Sequence, residues 1–279
     1  MKTITRILTS ILFALLAACP QPACAADSEV SAVLRKVGFD QHLNGQVPME
    51  LMFTDENANS VKLGDYFGKK PVILVLAYFE CPMLCTLVLN GVVEGMREMP
   101  FTAGAEFNVL TVSFNPRETP DLAAAKKKNY IASYGRPGAA DGWHFLTGKQ
   151  AAIDKLTQAV GFRYVYDAKH NQYIHTSGIM ILTPQGKLSR YFYGIRFPGR
   201  DLRLGLVEAS ANKIGSPADQ VLLYCFHYDP ATGKYTTSIL NFVRVGGLLT
   251  VAMLAGMVWF LVRWEPRKKA GEGVRGAGP

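Results

Sequence analysis

The sequence is poor in cysteine and in charge, and its central part contains no internal repeat or low-complexity tract. Cysteine occupies five of 279 positions, and charged residues make up 19% of the chain against 49% hydrophobic residues. So much apolar content with so little charge excludes an intrinsically disordered chain. A chain of this length can also bury a core without disulfide staples. We therefore expect one sizeable globular domain or two small ones.

The chain also lacks the basic blocks interleaved with aromatic residues that are typical of nucleic-acid-binding surfaces. Its formal net charge is +8, but the lysines and arginines are scattered or lie near the chain ends. Nucleic acid is therefore not expected as a partner.

The N-terminal segment, residues 1–25, has the layout of a secretory signal peptide, with basic residues, an apolar run and then small residues. Residues 23–25, Ala-Cys-Ala, match the small-x-small rule for cleavage after Ala25. Residues 16–19, Leu-Ala-Ala-Cys, resemble instead the lipobox of bacterial lipoproteins. We favour cleavage after Ala25, because Pro20 is unusual behind a lipidated cysteine. This cleavage removes Cys19 and Cys24.

Near the other end, an uncharged run from Val245 to Val262 predicts a transmembrane helix, assigned to residues 241–263. The alternative is a buried core helix. The tail at residues 264–279 is basic, so the positive-inside rule predicts that it is cytoplasmic. Together with a signal peptide, this predicts a protein of the bacterial cytoplasmic membrane whose body lies on the periplasmic or extracytoplasmic side.

Apolar runs of strand and helix length alternate between these two ends. We divide this part into a lead-in at residues 26–45, a domain at 46–214 and a juxtamembrane segment at 215–240. Strands and helices alternate early in the domain, and a hairpin and a final helix follow. This order predicts an α/β fold with a thioredoxin-like mixed sheet flanked by helices.

Two cysteines, Cys81 and Cys85, directly follow the apolar run from Pro71 to Phe79, which predicts a buried strand. A helix is predicted next, from Leu84 to Met99, so both thiols fall at a strand-to-helix turn. The unpaired N–H groups and the dipole of a helix start favour thiolate. Such a pair can form a disulfide, a redox couple or part of a metal site, and two ordinary buried thiols are the less favoured alternative.

The C-x-x-x-C spacing is one residue wider than the C-x-x-C of thioredoxin-type oxidoreductases, and it leaves room for a metal ion. Thiolates select soft cations such as Cu(I), and an added imidazole allows the same site to hold Cu(II). His175 lies just before the predicted strand Ile179–Leu182. In a thioredoxin-like topology that loop lies beside the start of the helix after the buried strand. Cys81, Cys85 and His175 are therefore candidate metal ligands.

The remaining histidines of the body are weaker candidates. We expect His42 and His170 to be solvated surface side chains, and His144 to pack or form a hydrogen bond beside a tryptophan. Cys225 and His227 form a C-x-H pair, whose side chains share one face if the segment is extended. They are a possible second, weak copper site, but an extra strand or juxtamembrane packing is the favoured interpretation.

Taken together, the sequence motifs resemble the Sco/SenC family of membrane-tethered copper proteins. The motifs are Cys-Pro-x-x-Cys after a strand, SFNPRETP at Ser113–Pro120, WHFLTG at Trp143–Gly148 and IHTSG at Ile174–Gly178. The resemblance covers roughly Gln46 to Lys213. The sequence differs from the family in two features. Asn115 and Glu118 stand where the family typically has aspartates. Many members are anchored by an N-terminal helix, whereas the anchor predicted for this chain is C-terminal.

The resemblance implies a thioredoxin-like fold and copper, as Cu(I) or Cu(II), bound by Cys81, Cys85 and His175. It also implies a metallochaperone rather than an enzyme, which takes copper from a donor protein. The implied recipient is the copper-bearing subunit of cytochrome c oxidase, where a binuclear copper centre is assembled. The alternative function is a thiol–disulfide oxidoreductase, in which Cys81 and Cys85 keep the recipient's cysteines reduced.

Overall fold

The computed structural model describes residues 35–211, 222–223, 226–237 and 239–264. The predicted signal peptide, the basic tail and Cys225 lie outside the described residues. The rest falls into two compact units. The smaller one holds residues 35–39 and Phe162–Thr176, and the larger one holds Asp40–Gly161 and the described residues from Ser177 onward.

The regular elements alternate along the chain much as the apolar runs predict. The strands are β1 (Gly38–Phe39), β2 (Met52–Thr54), β3 (Ser60–Lys62), β4 (Val72–Ala77), β5 (Asn108–Ser113), β6 (Trp143–Leu146), β7 (Phe162–Asp167), β8 (Gln172–His175), β9 (Gly178–Leu182), β10 (Leu188–Tyr193), β11 (Phe226–Asp229) and β12 (Lys234–Thr237). The helices are α1 (Leu84–Glu98), α2 (Pro120–Tyr134), α3 (Gln150–Ala159), α4 (Gly199–Ala209) and α5 (Ile239–Trp264).

The larger unit is built on a five-stranded mixed sheet with the order β10-β9-β4-β5-β6. β4, β5 and β6 are parallel, whereas β9 runs antiparallel to both β4 and β10. All residues of β4 and β9 are buried, as expected for continuous apolar strands covered on both faces. The predicted thioredoxin-like mixed sheet is confirmed.

Helix α1 packs against α2 and α4, and two glycines on one of its faces permit a close backbone approach. A Cβ atom on Gly91 would lie 2.0 Å from the carbonyl oxygen of Ile195, and one on Gly95 would lie 2.1 Å from that of Phe197. Both distances are impossible for real atoms. The glycines therefore allow α1, which carries Cys85 in its first turn, to pack closely against the segment that leads into α4.

Helix α2 begins and ends where its sequence predicts. The N–H of Leu122 donates to Oγ1 of the N-cap residue Thr119 at 3.4 Å, and Pro120 occupies the first turn. Gly135 ends the helix in the left-handed conformation, with φ of 69°. These local signals fix the loop that joins β5 to α2, which carries Glu118.

The outer edge of β6 is covered by the segment around β2. Thr54 and Thr147 exchange backbone hydrogen bonds of 2.7 and 2.9 Å, and the N–H of Phe145 donates to Oε2 of Glu56 at 3.1 Å. The buried Glu56 carboxylate also pairs with Lys127 and lies 3.4 Å from Nδ1 of His144. Burial opposes ionisation of Glu56, but these hydrogen bonds outweigh it and lower its pKa to about 2.

The smaller unit is a three-stranded antiparallel sheet with the order β1-β7-β8. Tyr164 on β7 pairs with His175 on β8, and the ring of His175 lies 6.2 Å from that of Phe162. The sequence predicts that His175 lies in a loop. It is instead the last residue of strand β8.

The prediction of a C-terminal transmembrane helix is corrected. The uncharged run does lie within a helix, α5, but among the described residues no helix is long and apolar enough to cross a membrane. The prediction depended on an uncharged run of eighteen residues, which lies at the lower end of the length needed for a membrane span.

Candidate metal centre

The turn between β4 and α1 positions the two cysteines. The N–H of Cys81 donates to the carbonyl oxygen of Tyr78 at 3.2 Å, which turns the chain at the end of the buried strand. Cys85 then lies in the first turn of α1, just behind its N-cap residue Met83. Both cysteines are thiols rather than half-cystines, and both are buried.

Backbone N–H groups of the same turn point at both sulfurs. The N–H of Cys85 donates to Sγ of Cys81 at 3.3 Å, and the N–H of Tyr78 donates to Sγ of Cys85 at 3.3 Å. Hydrogen bonds of this kind stabilise negative charge on sulfur. These two contacts therefore favour the thiolate form, which is the form that binds a metal ion.

The expectation that the helix start lowers the thiol pKa is wrong for Cys85. Burial raises the pKa of this thiol well above its usual value, and the neighbouring Cys81 adds to the rise, while the N–H of Tyr78 opposes it. Desolvation outweighs the helix N-terminus here, because the side chain is almost wholly removed from water. A cation bound between the sulfurs would supply the positive charge that the buried turn lacks and would so stabilise the thiolates.

A buried carboxylate supports the cysteine turn from the β5–α2 loop. Oε1 of Glu118 accepts a hydrogen bond from the N–H of Glu80 at 2.9 Å, and Oε2 accepts one from the hydroxyl of Ser113. Burial raises the pKa of Glu118 above its ordinary value, and these hydrogen bonds oppose the rise. Glu118 thus links the residue before Cys81 to the end of β5.

His175 closes β8 in the smaller unit and is half-buried. Its Nδ1 atom lies 2.7 Å from the carbonyl oxygen of Thr176. Because a carbonyl only accepts, this contact selects the neutral tautomer with the proton on Nδ1, in which Nε2 has a lone pair suited to a metal ion.

Comparison with known proteins places these motifs in a family. The model of the SCO1/SenC family matches residues 40–200, which is more than half of the chain. The chain belongs to the SCO1/SenC family. No match to it is found among curated proteins.

Several solved structures are similar to this SCO1/SenC chain. A candidate electron transfer protein from Aquifex aeolicus VF5 is 26% identical, with a TM-score of 0.54 over 61% of this chain and 96% of that one. ScoI from Bradyrhizobium japonicum with copper bound is 22% identical, with a TM-score of 0.44 over 60% and 99%. Yeast Sco1 with copper bound is 17% identical, with a TM-score of 0.46 over 63% and 94%. The Aquifex protein supports the same fold for the matched part.

Three other histidines of this family member each contact neighbouring protein groups. Nδ1 of His42 lies 3.1 Å from the carbonyl oxygen of Ala159, and His170 pairs with Asp167 on the surface. His144 lies beside Glu56, and its ring is tilted at 47° to that of Tyr66, with 4.6 Å between the ring centroids.

The second candidate site is not built by the described residues. His227 lies in strand β11, which pairs with β12, so the favoured interpretation of an extra strand is confirmed for that segment. Cys225 falls outside the described residues, and the pair stays a sequence prediction.

Sequence reasoning missed Glu118 as part of the site. In the sequence, Glu118 is distinguished only by standing where the family motif typically has an aspartate. Its spacing from Pro120 carries no signal of the contact, because the backbone it binds lies 38 positions away in the chain.

Proposed function

We propose that this protein is a copper metallochaperone that takes part in the assembly of cytochrome c oxidase. The observation that carries the proposal is the pair of buried thiols at the β4–α1 turn, each with a backbone N–H directed at its sulfur. Membership of the SCO1/SenC family supports the same conclusion. Copper is the cargo of this function, not a permanent cofactor.

The proposed ligands are Sγ of Cys81, Sγ of Cys85 and a ring nitrogen of His175. These residues offer two thiolates and one imidazole, a donor set that suits Cu(I) and also accepts Cu(II). Hard cations such as Mg²⁺ prefer oxygen ligands and are poor candidates.

The short chain segment between His175 and strand β9 supports His175 as one of the ligands. β9 begins at Gly178 and runs antiparallel to β4, with Met180 opposite Leu74 and Leu182 opposite Val72. The start of β9 therefore lies toward the end of β4 from which the cysteine turn departs. His175 precedes Gly178 by three residues, which span at most about 11 Å.

The proposed mechanism is ligand exchange. Copper displaces the thiol protons as it binds, because Cys85 holds its proton firmly in the buried turn. The thiolates and imidazoles of the recipient then displace the three ligands one after another. The recipient we propose is the copper-bearing subunit of cytochrome c oxidase, and the source is a copper donor protein.

We also propose that the protein acts on the extracytoplasmic side, because residues 1–25 have the layout of a secretory signal peptide. Mass determination of the mature N-terminus tests this. We expect a mature chain that begins at Ala26. A chain that begins at a lipid-modified Cys19 would show cleavage at the lipobox and would still support export. A retained Met1 would contradict the extracytoplasmic location.

A second function, thiol–disulfide exchange, is favoured by the same turn. The N–H of one cysteine lies within hydrogen-bond reach of the other's sulfur, so the two residues are close neighbours. Oxidation of both thiols to a disulfide would reduce a disulfide in a partner by two electrons. In that case copper would have no direct part in the function.

Copper titration of the full chain separates the two functions. Reduced protein is titrated with Cu(I) and with Cu(II), beside Cys81→Ser, Cys85→Ser, His175→Ala and the matched surface control His170→Ala. We expect one tightly bound copper ion per chain and loss of this tight Cu(I) binding in each cysteine variant. Of the two histidine variants, only His175→Ala should lose the Cu(II)–thiolate absorption band. Absence of copper binding in the wild type would overturn the copper function and favour the redox function.

A further inference from the structure

The cysteine turn places one large apolar side chain in solvent, between the two buried thiols. Met83 is 66% exposed, whereas Cys81 and Cys85 are 8% and 2% exposed. An exposed sulfur-containing side chain therefore lies, along the chain, between two cysteines whose sulfurs solvent hardly reaches.

Burial of the thiols creates a problem for ligand exchange. A partner's ligand must contact copper before the cysteines release it, and an incoming ion must meet a first ligand before it reaches them. Soft thioether sulfur is, with thiolate, a ligand class that selects Cu(I). Met83 carries such a sulfur at the surface of the turn.

The local geometry allows Met83 to reach this position. Its carbonyl oxygen accepts the N–H of Leu87 at 3.0 Å, which fixes the backbone at the start of α1. The side chain beyond it has three rotatable bonds and a polarizable sulfur. Its Cα lies two residues from that of either cysteine, which is at most about 7.6 Å.

We propose that Met83 is the entry and exit ligand for Cu(I) at this site. The inference rests on the proposed function and names a residue that the three-ligand set does not contain. On entry, a bond from copper to the Met83 sulfur forms as a bond to the donor's ligand breaks. Bonds to the cysteines then form as their protons leave to solvent, the thioether dissociates, and copper stays Cu(I) throughout.

Leu87 provides the matched control for a simpler role. It lies one helical turn after Met83 and is 40% exposed, so the two side chains share an apolar surface that a partner could contact. Met83→Leu keeps the apolar side chain and removes only the sulfur, whereas Leu87→Ala removes apolar surface and leaves the sulfur in place. A role in docking and a role in metal binding therefore respond to different variants.

The first test measures the rate of Cu(I) uptake by the reduced full chain from its bicinchoninate complex, a small-molecule donor that needs no docking surface. We expect Met83→Leu to slow uptake and release alike by about tenfold, with equilibrium loading unchanged, as for a lost contact in the exchange transition state. Leu87→Ala and the exposed control Met52→Leu should match the wild type. Wild-type rates in Met83→Leu, or equal slowing in Leu87→Ala, would overturn the inference and leave the copper function intact.

The second test observes the sulfur directly. In the Cys81→Ser/Cys85→Ser variant labelled at methionine methyl carbons, we expect Cu(I) to shift the Met83 methyl resonance and leave that of Met52 in place. No shift of the Met83 resonance would overturn the inference. Failure of the wild-type protein to load any copper would instead overturn the proposed function, and this inference with it.

Discussion

The backbone N–H of Cys85 donates a hydrogen bond to Sγ of Cys81 across an N···S distance of 3.3 Å. This contact joins the first turn of α1 to the residue before Pro82, so the two cysteines are close neighbours.

Oxidation of this pair should abolish copper binding. A disulfide between Cys81 and Cys85 consumes both thiolates, so of the three ligands of the tight site only the imidazole is left. We expect oxidised full-length protein to bind no Cu(I) in a chelator competition and to regain one equivalent after reduction. Equal binding by the oxidised and reduced forms, confirmed by thiol titration, would show that copper binds elsewhere.

Glu118 is expected to hold the cysteine turn in place. Glu118→Ala removes the acceptor of the Glu80 N–H and of the Ser113 hydroxyl, and loss of such buried bonds costs about 2 kcal/mol of unfolding free energy. Urea denaturation measures this, with the exposed Glu80→Gln as control. A stability equal to the wild type would contradict the role of Glu118.

Glu56 predicts an acid-sensitive stability. Its pKa is about 2 in the folded chain against an ordinary value of 4.5, so its contribution is complete above about pH 4.5 and is lost as the pH falls toward 2. We expect the unfolding free energy of the wild type to fall over this window more steeply than that of Glu56→Gln. The exposed Glu50→Gln should follow the wild type, and parallel curves for Glu56→Gln and the wild type would contradict the assignment.

Gly91→Ala should destabilise the protein, although alanine favours helices by about 1 kcal/mol over glycine. The added Cβ would lie 2.0 Å from the Ile195 carbonyl oxygen, and overpacking of this kind costs about 1–3 kcal/mol. Urea denaturation should show a lower midpoint for Gly91→Ala than for Glu94→Ala on the exposed face. A midpoint above the wild type would contradict the close approach of the two segments.

The sequence was sufficient for those elements whose signals are local. The long apolar run of β4 and the capped helix α2 are examples, because each carries its own pattern. β6 (Trp143–Leu146) and β8 (Gln172–His175) were not predicted. A strand of four residues is too short to show a clear alternation of apolar and polar residues, and it is defined instead by pairing with its partner strand.

The candidate site divides in the same way. Cysteine spacing and chain order were enough to predict Cys81 and Cys85 at a strand-to-helix turn, because both are local properties. The raised pKa of Cys85 and the hydrogen bonds of Glu118 depend on burial by distant segments, which no short motif encodes. The exposure of Met83 beside the buried thiols is likewise a tertiary property.

X-ray absorption spectroscopy of the full chain loaded with one equivalent of Cu(I) observes the proposed copper ligands themselves. We expect two sulfur ligands and one nitrogen ligand in the wild type, and loss of the nitrogen contribution in His175→Ala but not in His170→Ala. A spectrum without two sulfur ligands, or a nitrogen contribution that survives in His175→Ala, would contradict a copper site formed by Cys81, Cys85 and His175.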